Sequence, residues 1–223
     1  MMAETFVNAP RVHSAVTAGL EKRVLVWMAE RTPAWVGPDH LTVLGFAAQV
    51  LAGVAYAAAA RDARALWLVN LFLVLNWLGD SLDGTLARVR NQQRPRYGFY
   101  VDHMVDAVGA LALMGGLACS GYLHAWVAAG MLAGYYVLAI ESYLATYTLG
   151  RFHVSHGLFG PTEIRILLAV GNAVLAWNPY ANLGGRRFLL FDVGGVVAIV
   201  GMAAMAAATA FRHTAALYRE ETR

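Results

Sequence analysis

Asp80-Ser81-Leu82-Asp83-Gly84-Thr85-Leu86-Ala87-Arg88 is followed, after nine residues, by Gly98-Phe99-Tyr100-Val101-Asp102-His103-Met104-Val105-Asp106. Four carboxylates thus adjoin strongly apolar sequence, where stray charge is costly and ionisable groups usually have a function. On a helix, Asp80, Asp83, Gly84 and Ala87 share one face, while Gly98, Asp102 and Asp106 recur at every fourth position on another. Two such faces can bring four carboxylates to one point. Alone, these groups would repel one another and lose solvation, so the pattern calls for hard cations such as Mg²⁺ among their oxygens.

The chain around this stretch is 59% hydrophobic and only 14% charged, with a mean hydropathy of +0.51. A helix needs about 20 apolar residues to cross the hydrocarbon core. Six stretches qualify, at roughly 41–60, 65–88, 98–120, 124–148, 160–178 and 188–211. The expected fold is therefore all-α: a polytopic membrane protein with six transmembrane helices, preceded by an N-terminal amphipathic interfacial helix. The expected organisation is an interfacial segment over 1–40, a membrane domain over 41–212 and a tail over 213–223. Glu21, Lys22 and Arg23 interrupt any apolar core near the N-terminus, so that segment does not read as a cleaved signal. Residues 12–30 instead place Val16, Leu20, Val24 and Trp27 at helical spacing. Such a helix either lies flat on the membrane or packs on the cytoplasmic face of the bundle. Cys119 has no partner for an intrachain disulfide and is expected to pack in the third span.

Read as D-x-x-D-G-x-x-A-R…G-x-x-x-D-x-x-x-D, the segment resembles the CDP-alcohol phosphotransferases, integral membrane enzymes of phospholipid synthesis. The interval between Arg88 and Gly98 is one residue longer than the family's usual spacing. Pro38-Asp39-His40-Leu41-Thr42 is similar to the Pro-Asn-x-x-Thr that precedes the family's first span, with Asp39 in place of Asn. The resemblance implies metal ligation by Asp80, Asp83, Asp102 and Asp106, with Mg²⁺ or Mn²⁺ as cofactor, as two ions. It implies a cytidine-diphosphate site at Asp83, Gly84, Ala87, Arg88 and Gly98, a general-base role for Asp106, and a homodimer. In the choline/ethanolamine branch a His likewise follows the third aspartate, which makes His103 a second candidate base. Singly, Gly84 and Ala87 also read as packing contacts between membrane helices, and His103 as a histidine hydrogen-bonded among carboxylates.

Glu141-Ser142-Tyr143 and Gly160-Pro161-Thr162-Glu163 resemble a further stretch of the same branch. Gly160 and Pro161 also suit a helix start, with Glu163 favourable in the first turn. Glu141 and Glu163 are the candidates for an acceptor or headgroup pocket, with Arg165 as counter-ion. His153 and His156 read as loop histidines. Gly130 and Gly134, with Gly194, Gly195 and Gly201, read as helix-packing contacts.

With the N-terminus inside, twelve Lys and Arg residues fall in inner segments and four, Arg61, Arg64, Arg186 and Arg187, in outer loops. The positive-inside rule then sets both termini and the motif loop in the cytoplasm. The Ala- and Arg-rich composition leans towards a bacterial inner membrane. The resemblance implies a CDP-linked donor, a lipid or small-alcohol acceptor, and contact with membrane lipids; there is no nucleic-acid motif. Two reactions stay open. In one, a CDP-aminoalcohol is the donor to a diacylglycerol-like lipid; in the other, CDP-diacylglycerol is the donor to glycerol phosphate, inositol phosphate or serine; His103 and Gly160-Pro161-Thr162-Glu163 favour the first. An ion-coupled transporter is the reading from a different class, but inverted repeats and broken helices are not visible.

Overall fold

The computed structural model describes residues 11–12, 18–149, 152–153 and 160–222. Among these residues seven helices carry the fold: α1 (Ala18–Arg31), α2 (Pro38–Ala59), α3 (Ala65–Val89), α4 (Pro95–Ala118), α5 (Ala125–Leu149), α6 (Pro161–Leu175) and α7 (Leu190–Glu221). Two short parallel strands, β1 (Arg11–Val12) and β2 (Phe152–His153), pair with each other. The hairpin of β3 (Tyr180–Leu183) and β4 (Arg186–Leu189) joins α6 to α7.

Local chemistry accounts for the boundaries. Pro38, Pro95 and Pro161 open α2, α4 and α6, where a missing N–H costs nothing and φ is already helical. The His40 ring accepts the Gly37 N–H at 3.0 Å, and Glu163 accepts that of Gly160 at 2.9 Å. Asn91, at φ 54°, turns the chain out of α3. Gly184 and Gly185, both at positive φ, form the two-residue hairpin turn that needs this conformation.

Among the described residues five helices, α2 to α5 and α7, are long and apolar enough to cross a membrane. The fifth expected span, 160–178, becomes α6, a helix of 15 residues. At about 1.5 Å per residue it is shorter than the roughly 30 Å hydrocarbon core. Asn178-Pro179 explains the early stop, since a residue before proline is driven out of the helical region. The sixfold count is therefore not reproduced by helix length alone. α7 continues through the expected boundary at residue 213, and Cys119 is exposed at the end of α4 rather than packed within a span.

The bundle has two apolar cores. One is built around Tyr56, Leu66, Val69, Leu117, Leu123 and Val127. The other joins Leu25 and Ala29 of α1 to Leu41, Leu82 and Leu86. α1 is thus docked on the bundle, while Val24 and Trp27, expected on its apolar face, stay exposed. Asn172 is a polar tie inside the first core: its amide oxygen accepts the Tyr56 hydroxyl at 2.8 Å, and its NH₂ donates to Asn70 at the same distance. Asn172→Ala strands both partners and should cost about 1–2 kcal/mol. Thermal unfolding in detergent, compared with wild type, checks this.

Candidate active site

α2 packs along both α3 and α4 and holds the two motif helices together. Glycines set the spacing. A Cβ on Gly79 would lie 2.4 Å from the Gly45 nitrogen and 2.5 Å from the Leu41 carbonyl oxygen, so α2 and α3 cross backbone to backbone one residue before Asp80. A Cβ on Gly116 would meet the Gly53 carbonyl oxygen at 1.9 Å, fixing the α2–α4 crossing in the same way. Small residues at such crossings allow helices to approach where lipid supplies no hydrophobic drive.

This frame brings Asp80 of α3 and Asp102 and Asp106 of α4 together. One carboxylate oxygen from each lies within 4.8 Å of the others. Asp83 is outside that trio but lines the same cleft, together with Thr42, Asn76 and the other three aspartates. Its carboxylate accepts the Thr42 hydroxyl at 2.6 Å and also the Gly84 N–H. Arg165 reaches in from α6: it donates to Asp80 at 2.5 Å and to the Asn76 amide oxygen at 2.7 Å. Asn76 in turn donates to the Gly45 carbonyl at 2.9 Å, on the crossing itself. Asn76 thereby holds the Arg165 side chain that bonds Asp80.

The expected nucleotide residues form an open approach. Gly84 meets only the end of the Arg88 side chain, 3.5 Å from where a Cβ would be, and nothing lies within 4 Å of that point at Gly98. Neither glycine is a helix-packing contact. Ala87 is half-buried one turn from Asp83, and Arg88 donates to the Thr85 hydroxyl at 3.0 Å. Across the motif loop, Arg94 pairs with Asp39. The two places where the chain departs from the family pattern, the replaced Asn and the longer loop, therefore meet each other.

His103 lies beside this cleft. Its Nδ1 is 2.6 Å from the Phe99 carbonyl oxygen, and since a carbonyl only accepts, Nδ1 carries the hydrogen and Nε2 is the basic nitrogen of the neutral ring. The ring stacks against Phe99 at 4.2 Å and meets Tyr143 of α5 edge-on at 4.9 Å.

Glu141 and Glu163 are placed differently from each other. Glu141 pairs with His213 of α7 at 2.5 Å, whereas Glu163 caps α6. Arg165 pairs with Asp80. His153 lies in β2, its side chain outside the description, and His156 lies outside the described residues. Of the glycines read as packing contacts, Gly130, Gly134 and Gly195 abut Ile199, Met202 and Val127, while Gly194 and Gly201 face open space. Thr42, Asn76 and Glu21 are polar groups of the site's surroundings given no role from sequence; Asn76, an amide inside an apolar span, was the one with a readable signal.

Acidic groups converge here from two long apolar helices, beside small residues that leave the surface open, and ionisable groups in such a setting usually have a function. The CDP-alcohol phosphatidyltransferase family model matches residues 35–213, and the chain belongs to that family, as an integral membrane protein. It is 26% identical to cholinephosphotransferase 1 of Xenopus laevis over 192 residues, which are 77% of this chain and 46% of that protein. With cholinephosphotransferase 1 of Danio rerio the identity is 26% over 186 residues, or 77% and 48% of the two chains. The chain spans about half the length of these relatives. A crystal structure of Mycobacterium tuberculosis phosphatidylinositol phosphate synthase with CDP-DAG bound has a similar fold. The TM-score is 0.52 at 20% identity, covering 88% of this chain and 92% of that one.

Proposed function

We propose that the protein transfers a phosphoalcohol group from a CDP-linked donor to an acceptor hydroxyl in phospholipid synthesis, releasing CMP. The observation that carries this reading is the convergence of Asp80, Asp102 and Asp106 beside an open approach lined by Gly84 and Gly98. The all-oxygen donor set fits a hard divalent cation, Mg²⁺ or Mn²⁺, held by these three carboxylates with Asp83 beside them. Bound there as a pair, such ions supply charge neutralisation for the diphosphate.

The chain's own residues do the rest. Arg88 is placed to pair with phosphate oxygens, and Gly84 and Gly98 leave room for the nucleotide to lie against the helices. The acceptor O–H attacks the distal phosphorus, the new P–O bond forms, and the P–O bond to CMP breaks with its electron pair leaving on CMP. The hydroxyl proton passes to His103 Nε2 or to an Asp106 oxygen. Glu141 and Glu163, with their partners, shape the surroundings of the acceptor. The active site faces the cytoplasm, both termini are cytoplasmic, the membrane is a bacterial inner membrane, and the working form is a homodimer.

His103 and the cholinephosphotransferase relatives favour a CDP-aminoalcohol donor and a diacylglycerol-like acceptor. The bound ligand of the structural neighbour keeps CDP-diacylglycerol with a small alcohol as the second reading. Purified protein with Mg²⁺ should release CMP from CDP-choline or CDP-ethanolamine plus diacylglycerol, and Asp102→Asn should not. CMP only from CDP-diacylglycerol plus a small alcohol would reverse the choice of donor, and no CMP from either pair would sink the assignment. If His103 is the base, His103→Gln should lower kcat by about 10²–10⁴-fold at unchanged Mg²⁺ dependence.

A further inference from the structure

α1 lies before the family-matched residues 35–213, yet it is bonded to the supports of the acidic centre. Glu21 Oε1 accepts three hydrogens: from the Trp77 indole at 2.8 Å, the Thr162 hydroxyl at 2.9 Å and the Ser81 hydroxyl at 3.4 Å. Trp77 and Ser81 stand on α3 on either side of Asp80, and Thr162 stands on α6 one turn before Arg165. Glu21 therefore ties α1, α3 and α6 together next to the Arg165–Asp80 contact. Leu25 and Ala29, one and two turns further along α1, are buried against Leu41, Leu82 and Leu86, which keeps Glu21 at this junction.

We propose that Glu21 is a positioning residue for the metal-binding carboxylates. By fixing α6 against α3, it keeps Arg165 on Asp80 and so keeps the Asp80 carboxylate turned towards Asp102 and Asp106. The inference rests on the metal site of the proposed function. Groups that orient a ligand from behind tune metal affinity even though they never touch the metal. All three partners of Glu21 are donors, so the clamp needs an acceptor oxygen at this position. A glutamine supplies one and an alanine does not.

The test is a Mg²⁺ titration of thermal unfolding with the purified full-length chain in detergent, since an ion that binds only the folded state raises its melting temperature. Glu21→Ala should raise the Mg²⁺ concentration for half-maximal stabilisation roughly 3- to 10-fold, below the 10- to 100-fold typical when a ligand's direct partner is removed. Glu21→Gln should stay within about twofold of wild type, because its amide oxygen accepts the same bonds. Thr162→Val, which removes only the α6 arm at nearly constant shape, should raise the midpoint about 2- to 4-fold; it carries the test if Glu21→Ala does not yield folded protein. An anchor that merely holds α1 down would lower the metal-free melting temperature and leave every midpoint in place, which overturns the proposal. So would a Glu21→Gln midpoint as high as that of Glu21→Ala. If wild type shows no Mg²⁺ stabilisation at all, the metal reading itself fails; a wild-type response with unmoved variants overturns the clamp alone.

Discussion

Asp106→Asn should abolish metal-dependent CMP release, lowering kcat at least about 10³-fold, while the metal-free protein melts no lower than wild type and up to a few degrees higher. The activity loss follows from position. Asp106 is one of three carboxylates whose oxygens lie within 4.8 Å, and it is also a candidate base. Asn keeps the shape and removes both the charged ligand oxygen and the proton acceptor. The stability gain follows from the same closeness. Like charges this near repel, and Arg165 is bonded to one of the three, Asp80. Removing one charge relieves that repulsion, and about 1 kcal/mol corresponds to a few degrees in a chain of this size. Lost activity together with unchanged or improved stability marks a site held together against its own preference. CMP release at a near wild-type rate would remove Asp106 from the site.

Gly79→Ala and Gly84→Ala, five residues apart on α3, should behave in opposite ways. At Gly79 the added methyl would sit 2.4 Å from the Gly45 nitrogen and 2.5 Å from the Leu41 carbonyl oxygen. Both are backbone atoms of α2, so the helices must separate. Overpacking of this kind costs about 1–3 kcal/mol or more. Asp80 is the next residue and Asn76 bonds the Gly45 carbonyl, so the separation also displaces a proposed metal ligand, and kcat should fall with stability. At Gly84 the methyl meets only the flexible end of Arg88, and alanine is the better helix former by about 1 kcal/mol. Stability should therefore hold or rise, while the donor KM increases because the methyl occupies the proposed nucleotide approach. Melting temperature and CMP-release kinetics on both variants separate the two cases. Equal loss of stability in both would remove the distinction between a packing glycine and an approach glycine.

Much of the fold was legible because a bilayer imposes length and hydropathy directly on the chain. The expected spans 65–88 and 124–148 correspond to Ala65–Val89 and Ala125–Leu149. α6 was harder to read. Its apolar composition ran on towards residue 178, but Asn178-Pro179 and the following hairpin ended it early. The face of α1 was harder still. Val24 and Trp27 have helical periodicity, yet Leu25 and Ala29 are the residues buried, because the surface that receives α1 belongs to α2 and α3. Periodicity reports that a helix has an apolar side, and the neighbour decides which side is covered.

By itself the sequence determined the all-α membrane class, the spacing that puts Asp80 and Asp83 on one helix and Asp102 and Asp106 on the next, and the family, because those depend on composition and on spacing along single helices. Only the tertiary structure decided which groups meet across helices. It put Arg165 on Asp80, Thr42 on Asp83, His213 on Glu141 and Glu21 between Trp77 and Thr162. Each of these contacts depends on how closely two backbones cross and how far one helix is turned about its axis. Glycines such as Gly45, Gly53, Gly79 and Gly116 set the closeness of those crossings, and their individual partners are not written in the local pattern of either helix.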